Sequence, residues 1–305
     1  MGRDRVLAIR PSRSPACYKT EEPQWKLISL RGVYGARGRA PSPENTQVSH
    51  AMPLTLRNHH LEFVLRLADN CLILSQRLGE WCGHGPELEE DMALTNIALD
   101  LNGQAQNWLQ YASELEVEHR TPDMLAFLRD AGDFRNCLLL EQPNQDFAFT
   151  MARQFYFDTW HNLVLTDLLH SADQRIREVS EKSLKEARYH LRHSSGWVIR
   201  LGDGTDESNR KIQNAIDDLW YYTGELYTPD PVDDAMWAER IGPDLSKIRT
   251  DWLTGVQAVL DEAALQIPKP GWMQTGGKRG IHTEALGYLL AEMQFLQRAY
   301  PQAQW

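Results

Sequence analysis

GEWCGHGPELEEDMALTNIALDLNGQAQNWL, residues 79–109, turns one helix into the next and then lays a polar stripe along an otherwise apolar helix. Gly83, Gly85 and Pro86 end the first helix. Beyond them Asn96, Asp100, Gly103 with Gln104, and Asn107 recur three or four residues apart and so share one face. Leu94, Ile97, Ala98, Leu101, Ala105, Trp108 and Leu109 fill most of the remaining circumference, which predicts burial on several sides. The polar face then meets solvent or points into a bundle interior, where buried carboxylates are paired or bind metal.

The same period runs outward in both directions. Apolar residues from Leu61 to Trp81 predict the preceding helix, and the stripe helix is expected from Glu89 to Glu118, before Thr121-Pro122. A short helical piece is expected over Met124 to Leu140, then long helices over Asp146 to Leu169 and Asp173 to Leu201. The third helix should turn Met151, Phe155, Trp160, Val164 and Leu168 inward, and the fourth Ile176, Val179, Leu184, Ala187, Leu191 and Val198. Four long helices with short connections predict an all-α, four-helix bundle of antiparallel neighbours. Further helices follow over Thr205 to Leu226, Pro243 to Leu265 and Thr283 to Ala299, the last with Leu286, Leu289, Leu290, Met293 and Leu296 toward the core. Pro229 and Pro231 read as a connector.

Charge divides the chain. Of 305 residues with net charge −10, the first fifty carry nine basic and four acidic residues, +5, which leaves −15 for the rest. An acidic body is a poor nucleic-acid binder, since phosphate contacts supply most of that affinity. The basic segment 1–51, rich in Pro, Gly, Ser and Arg without helical period, reads as a disordered extension, and Met52 opens the first periodic segment as an alternative start. The helical domain is expected over 52–305. No apolar run approaches the roughly 20 residues of a membrane span and no secretory signal is evident, so a cytoplasmic, membrane-free protein is expected. Cys17, Cys71, Cys82 and Cys137 are too scattered for a zinc cluster, and Cys82, near His84, reads as a buried small residue.

A long bundle with inward carboxylates invites a di-iron centre, whose ligands are one Glu from each of two helices and Glu-x-x-His from each of the other two. The chain does not supply that set. Its one Glu-x-x-His, Glu116 to His119, falls in the last turn expected of the second helix. Asp158 to His161 has the spacing with a shorter carboxylate, and Asp167 to His170 lies near a helix end. Asp100-Leu101-Asn102-Gly103 places glycine where histidine is needed, and Glu186-Ala187-Arg188-Tyr189 places tyrosine there, with His190 one residue out of register. No catalytic, cofactor-binding or metal-ligating residue is therefore expected. Two placements of these side chains stay open. In one, Asp100, Gln104, Arg153, Asp158, His161, Glu186 and His190 form a buried polar network in a vestigial metal position, with Gln76 and Glu80 as further partners. In the other, Glu186, Arg188 and Arg192 are a solvated face and Asp158 with His161 an ordinary hydrogen-bonded pair.

LADNCLILSQRLGEWCGHGPELE (67–89), IALDLNGQAQNWLQYASELE (97–116), LLLEQPNQDFAFTMARQFYFDTWH (138–161), KEARYHLRHSSGWVIRLGDGTDES (185–208) and TGGKRGIHTEALGYLLAEMQFLQ (275–297) together resemble the C subunits of bacterial phenylacetyl-CoA epoxidases, collinearly from about residue 54 to Trp305. The resemblance implies a ferritin-like fold, related to the catalytic A subunit but without its di-iron ligands. It implies a structural, non-catalytic member of a complex in which the A subunit binds iron and phenylacetyl-CoA and pairs tightly with the C subunit. A small B subunit and a reductase carrying FAD and an iron–sulfur centre, fed by NADPH, complete that complex, which inserts one oxygen atom across the aromatic ring. The rival readings are an active carboxylate-bridged di-iron oxygenase and a stand-alone ferritin-like binding module. Lys278 and Arg279 in the glycine-rich loop read as a surface turn, with phosphate contact the alternative. Trp197, Trp220, Tyr221, Tyr222, Trp237, Trp252 and Trp272 exceed what one core readily encloses, and some are expected beneath a partner.

Overall fold

The computed structural model describes residues 54–301 and residue 303, and the segment expected to be a disordered extension, with Met52, lies outside them. The described chain is helical: α1 (Leu54–Gly79), α2 (Leu88–Leu115), α3 (Pro122–Phe127), α4 (Leu138–Glu141), α5 (Phe147–Leu168), α6 (Gln174–Gly202), α7 (Asp206–Trp220), α8 (Gly224–Tyr227), α9 (Pro231–Ala238), α10 (Leu245–Glu262), α11 (Glu284–Met293) and α12 (Phe295–Ala299). The hairpins α1–α2 and α5–α6 pack together through α2 and α6 to make a ferritin-like bundle, with α7 and α10 laid on α5 and α9 on α1.

Local chemistry sets the ends. Gly83, at φ +80°, adopts the left-handed conformation that closes the turn after α1, and α2 then opens with Glu89, Glu90 and Asp91 at its positive end. Asp146 accepts the Phe149 N–H at 2.9 Å to start α5, and Asp173 accepts that of Ile176 at 2.8 Å to start α6. Every residue of α5 from Ala148 to His161 is buried, polar ones included, which makes it the central helix.

Four expectations need correction, one of them the single helix over Thr205 to Leu226, which a turn at residues 221–223 divides into α7 and α8. Residues 122–141 are two short helices separated by a 3-10 turn at Ala131–Asp133, whose start is marked by the Asp130 N–H donating to Asp133 Oδ2 at 3.3 Å. The proline connector holds α9: Asp230 caps it and Pro231 occupies its first turn, where a missing N–H costs nothing. The expected last helix breaks at Gln294, and Leu296 is exposed. The core encloses part of the aromatic set. Trp220 and Trp252 are buried against Tyr156 and Tyr227 with ring centroids 5.4–5.9 Å apart, and Trp252 Nε1 donates to the Tyr156 carbonyl at 2.9 Å. Trp197 and Tyr222 are half-buried, leaving Tyr221, Trp237 and Trp272 exposed.

Candidate functional site: a polar network at the bundle centre

Hydrogen bonds at the middle of the bundle link side chains from all four long helices. Gln104 on α2 is the hub. Its Oε1 sits 2.8 Å from His161 Nε2 on α5, so that nitrogen carries the proton and donates. Cys71 Sγ on α1 donates to the same oxygen at 3.8 Å, and Gln104 Nε2 donates to Glu186 Oε2 on α6 at 2.9 Å. Burial, reinforced by nearby His190, pushes His161 down to about 3, so it stays neutral. Burial also raises the Cys71 thiol, which stays protonated.

One turn away Asp158 is buried. Its two oxygens accept from Gln154 Nε2 and Ser194 Oγ, both at 2.7 Å. Burial lifts its carboxyl to about 6, although the charge of His190 and the two hydrogen bonds oppose the rise. His190 itself turns outward, with Nε2 3.1 Å from Asp100 Oδ2, and Asp100 is half-exposed where α2 meets α6.

Gln104, Asp158, His161 and His190 are thus buried as the network reading expects, whereas Asp100 and Glu186 are only partly buried, at the edge where α2 meets α6. Arg153 lies elsewhere. Its guanidinium, wholly buried, donates to the Gln142 carbonyl and Asn144 Oδ1, both at 2.6 Å, in a separate cluster near the start of α5. Glu80 belongs to that cluster, accepting from Arg77 and Asn144, and Gln76 has no hydrogen bond to the network. The displacement of Arg153 follows from spacing: it precedes Asp158 by five residues, more than one turn along α5. Gln154 and Ser194 were not anticipated, although each lies four residues from a candidate, Asp158 and His190, on the same helix face.

The donor set does not fit a di-iron centre, which requires four carboxylates and two imidazoles around one point. Here an amide separates His161 from Glu186, a hydroxyl and an amide engage Asp158, and His190 is directed to Asp100. Among the described residues no three His, Cys, Asp or Glu side chains converge as metal ligands. The Nδ1 atoms of His161 and His190 are buried without partners, but two imidazole nitrogens do not complete such a site.

A second polar lattice was missed, because its members lie far apart in sequence. Buried Arg129 pairs with buried Asp69, and Arg66 with Asp230 at 2.7 Å and Asp233 at 3.3 Å. Glu225 Oε2 accepts the N–H of Leu138, and Oε1 those of Gly276 and Lys278, tying the glycine-rich loop to α4. Lys278 is buried, its Nζ donating to Asp233 at 2.9 Å and to the Thr228 carbonyl at 3.0 Å, so it is not a free phosphate ligand. Arg279 is exposed on the turn. Cys82, expected to be buried, is exposed, because the turn after α1 carries it off the bundle. No helix among the described residues is long and apolar enough to cross a membrane.

Comparison with known proteins agrees with this architecture. Residues 42–305 match the family model described as phenylacetic acid catabolic protein. The C subunit of the 1,2-phenylacetyl-CoA epoxidase of Escherichia coli (strain K12) is 53% identical over 248 residues, which cover 81% of this chain and 100% of that relative. With both matches extending over most of its length, the chain belongs to the phenylacetic acid catabolic protein family.

Proposed function

We propose that this chain is the structural, non-catalytic subunit of a phenylacetyl-CoA 1,2-epoxidase, pairing with and supporting a di-iron catalytic subunit. The observation that carries the reading is the Gln104 amide, which spans the bundle centre and holds His161 Nε2 at one end and Glu186 Oε2 at the other, where a di-iron centre would need both as ligands. The relative, by its name the C subunit of such an enzyme, supports it, and that name makes a multi-subunit complex the natural setting. On this reading the chain performs no step of the oxygenation. It supplies a helical body, and iron, substrate and electrons are handled elsewhere: a small B subunit and a reductase with FAD, iron–sulfur centre and NADPH belong to the same proposal.

Reconstitution tests it. Full turnover of phenylacetyl-CoA with this chain omitted from the catalytic subunit, small subunit, reductase, NADPH and oxygen refutes the supporting role. Turnover with the catalytic subunit omitted refutes the non-catalytic one. After iron loading and desalting, elemental analysis of the chain alone is expected to find no stoichiometric iron, and retention of about two irons would favour the active di-iron oxygenase.

A further inference from the structure

The glycine-rich loop 275–283 leads into α11 and carries one histidine, His282, whose side chain is 4% exposed. Both of its ring nitrogens end on oxygens. Nδ1 lies 2.7 Å from Glu141 Oε2 on α4, and Nε2 lies 3.0 Å from the carbonyl of Phe134, just after the 3-10 turn. The Glu141 side chain is wholly buried and takes further donors on both oxygens, the Thr283 N–H on Oε1 at 2.6 Å and Asn136 Nδ2 on Oε2 at 2.9 Å, which is the pattern of an ionised carboxylate. A carboxylate and a carbonyl at hydrogen-bond distance demand an N–H on each ring nitrogen, and only imidazolium carries two. The histidines of the bundle differ: His60, His161, His190 and His193 each leave a buried Nδ1 without a partner, so a neutral ring suffices there.

We propose that His282 is a pH-released latch: as imidazolium it ties the end of the glycine-rich loop and the start of α11 to Glu141 and Phe134, and loss of one proton frees that segment while the bundle stays folded. The neutral ring has a single N–H. If the Glu141 carboxylate keeps it, Nε2 turns a lone pair toward the Phe134 carbonyl, and repulsion opens that side. Opening is local because no buried group is orphaned. The Phe134 carbonyl still accepts from Arg135 Nη1 at 2.8 Å, and Glu141 still accepts from Asn136 and Thr283. The other end of the loop stays held by Glu225 and by Lys278 on Asp233. The charged groups on the elements packed here are Glu141 on α4, Glu225 on α8, Arg77 on α1, whose Nη2 donates to the Glu141 and Ala285 carbonyls at 2.7 and 3.2 Å, and Arg135, with Arg279 and Glu284 on the segment itself. Burial disfavours the charged ring, but the hydrogen bond and charge of Glu141, the Phe134 carbonyl and the charge of Glu225 outweigh it and raise the imidazole above its ordinary 6.5. With the folded value raised, the latch is complete below pH 6.5 and is lost as pH rises through that folded value.

The experiment follows the purified full-length chain from pH 6 to pH 10 by two readouts. Nitrogen-15 spectra of the histidine rings report the protonation of His282, and hydrogen exchange, expressed as protection factors to remove the intrinsic pH dependence, reports the opening of residues 281–293 against α5 as the internal reference. At pH 6.5 both ring nitrogens of His282 should carry protons. As the ring titrates at higher pH, protection in residues 281–293 should fall roughly fivefold or more at the same midpoint, with α5 unchanged. His282→Gln keeps one N–H donor and carries no charge, so its segment should be less protected than the parent at pH 6.5 and show no step. A singly protonated ring at pH 6.5, a parental chain without the step, or a step at a midpoint other than that of the ring overturns the latch, and each is read on the parent whether or not the variant folds. A step of parental size in His282→Gln overturns it as well, by assigning the release to another group.

Discussion

Asp158→Asn separates the cost of a buried charge from the value of the bonds that hold it. Burial lifts this carboxyl from its ordinary 3.8 to about 6, and at 1.36 kcal/mol per pKa unit that displacement corresponds to about 3 kcal/mol. Because the folded value is the higher one, the stability contributed by the protonated form is complete below pH 3.8 and is lost as pH rises through about 6. At pH 8 the folded protein therefore holds an ionised group in its core at that cost. Asparagine has the same shape and no charge. Its oxygen can accept from Gln154 Nε2 and its amide can donate to Ser194 Oγ, preserving both bonds seen in the structure. The amide variant is expected to be more stable than the parent by about 2–3 kcal/mol at pH 8, with the difference shrinking toward zero near pH 4. Asp158→Ala should behave oppositely. It strands two buried donors at about 1–3 kcal/mol each, so it is destabilising at pH 5, and the deficit narrows as the parent ionises. Urea unfolding followed by circular dichroism between pH 4 and 8.5 reads both. A less stable amide variant at pH 8, or a pH-independent difference, would refute the reasoning.

His161 carries the opposite sign: with its folded value near 3, its contribution is complete above pH 6.5 and falls as pH drops toward 3. Changing it to Gln should lessen the stability lost between pH 7 and pH 5 by about 2 kcal/mol, measured by urea unfolding at the two values. Glu225→Ala deprives three backbone N–H groups of their acceptor, with an expected cost above about 3 kcal/mol and faster hydrogen exchange in residues 276–283, whereas Glu225→Gln should cost clearly less. Equal exchange in the two variants would show that the loop is held by other contacts. The iron analysis described above completes the set.

The sequence by itself determined the helical class, the four long helices and most of their ends, because apolar period, capping side chains and prolines act within a few residues. α5 ran from Phe147 to Leu168 against an expectation of Asp146 to Leu169, and α6 from Gln174 to Gly202 against Asp173 to Leu201. It also exposed the gap in the ligand pattern, since Gly103 and Tyr189 occupy positions where imidazole is needed. Helical spacing reaches only one face of one helix, however. That Gln104 meets both His161 and Glu186, while Arg153 turns away to Gln142 and Asn144, depends on how three helices rotate against one another. The lattice of Asp69 with Arg129, Arg66 with Asp230, and Glu225 with the glycine-rich loop joins groups 51 to 164 residues apart. Such pairs leave no periodic trace, because side chains at those separations meet only after the core has packed; the tertiary structure alone decided which charges are buried and what neutralises each.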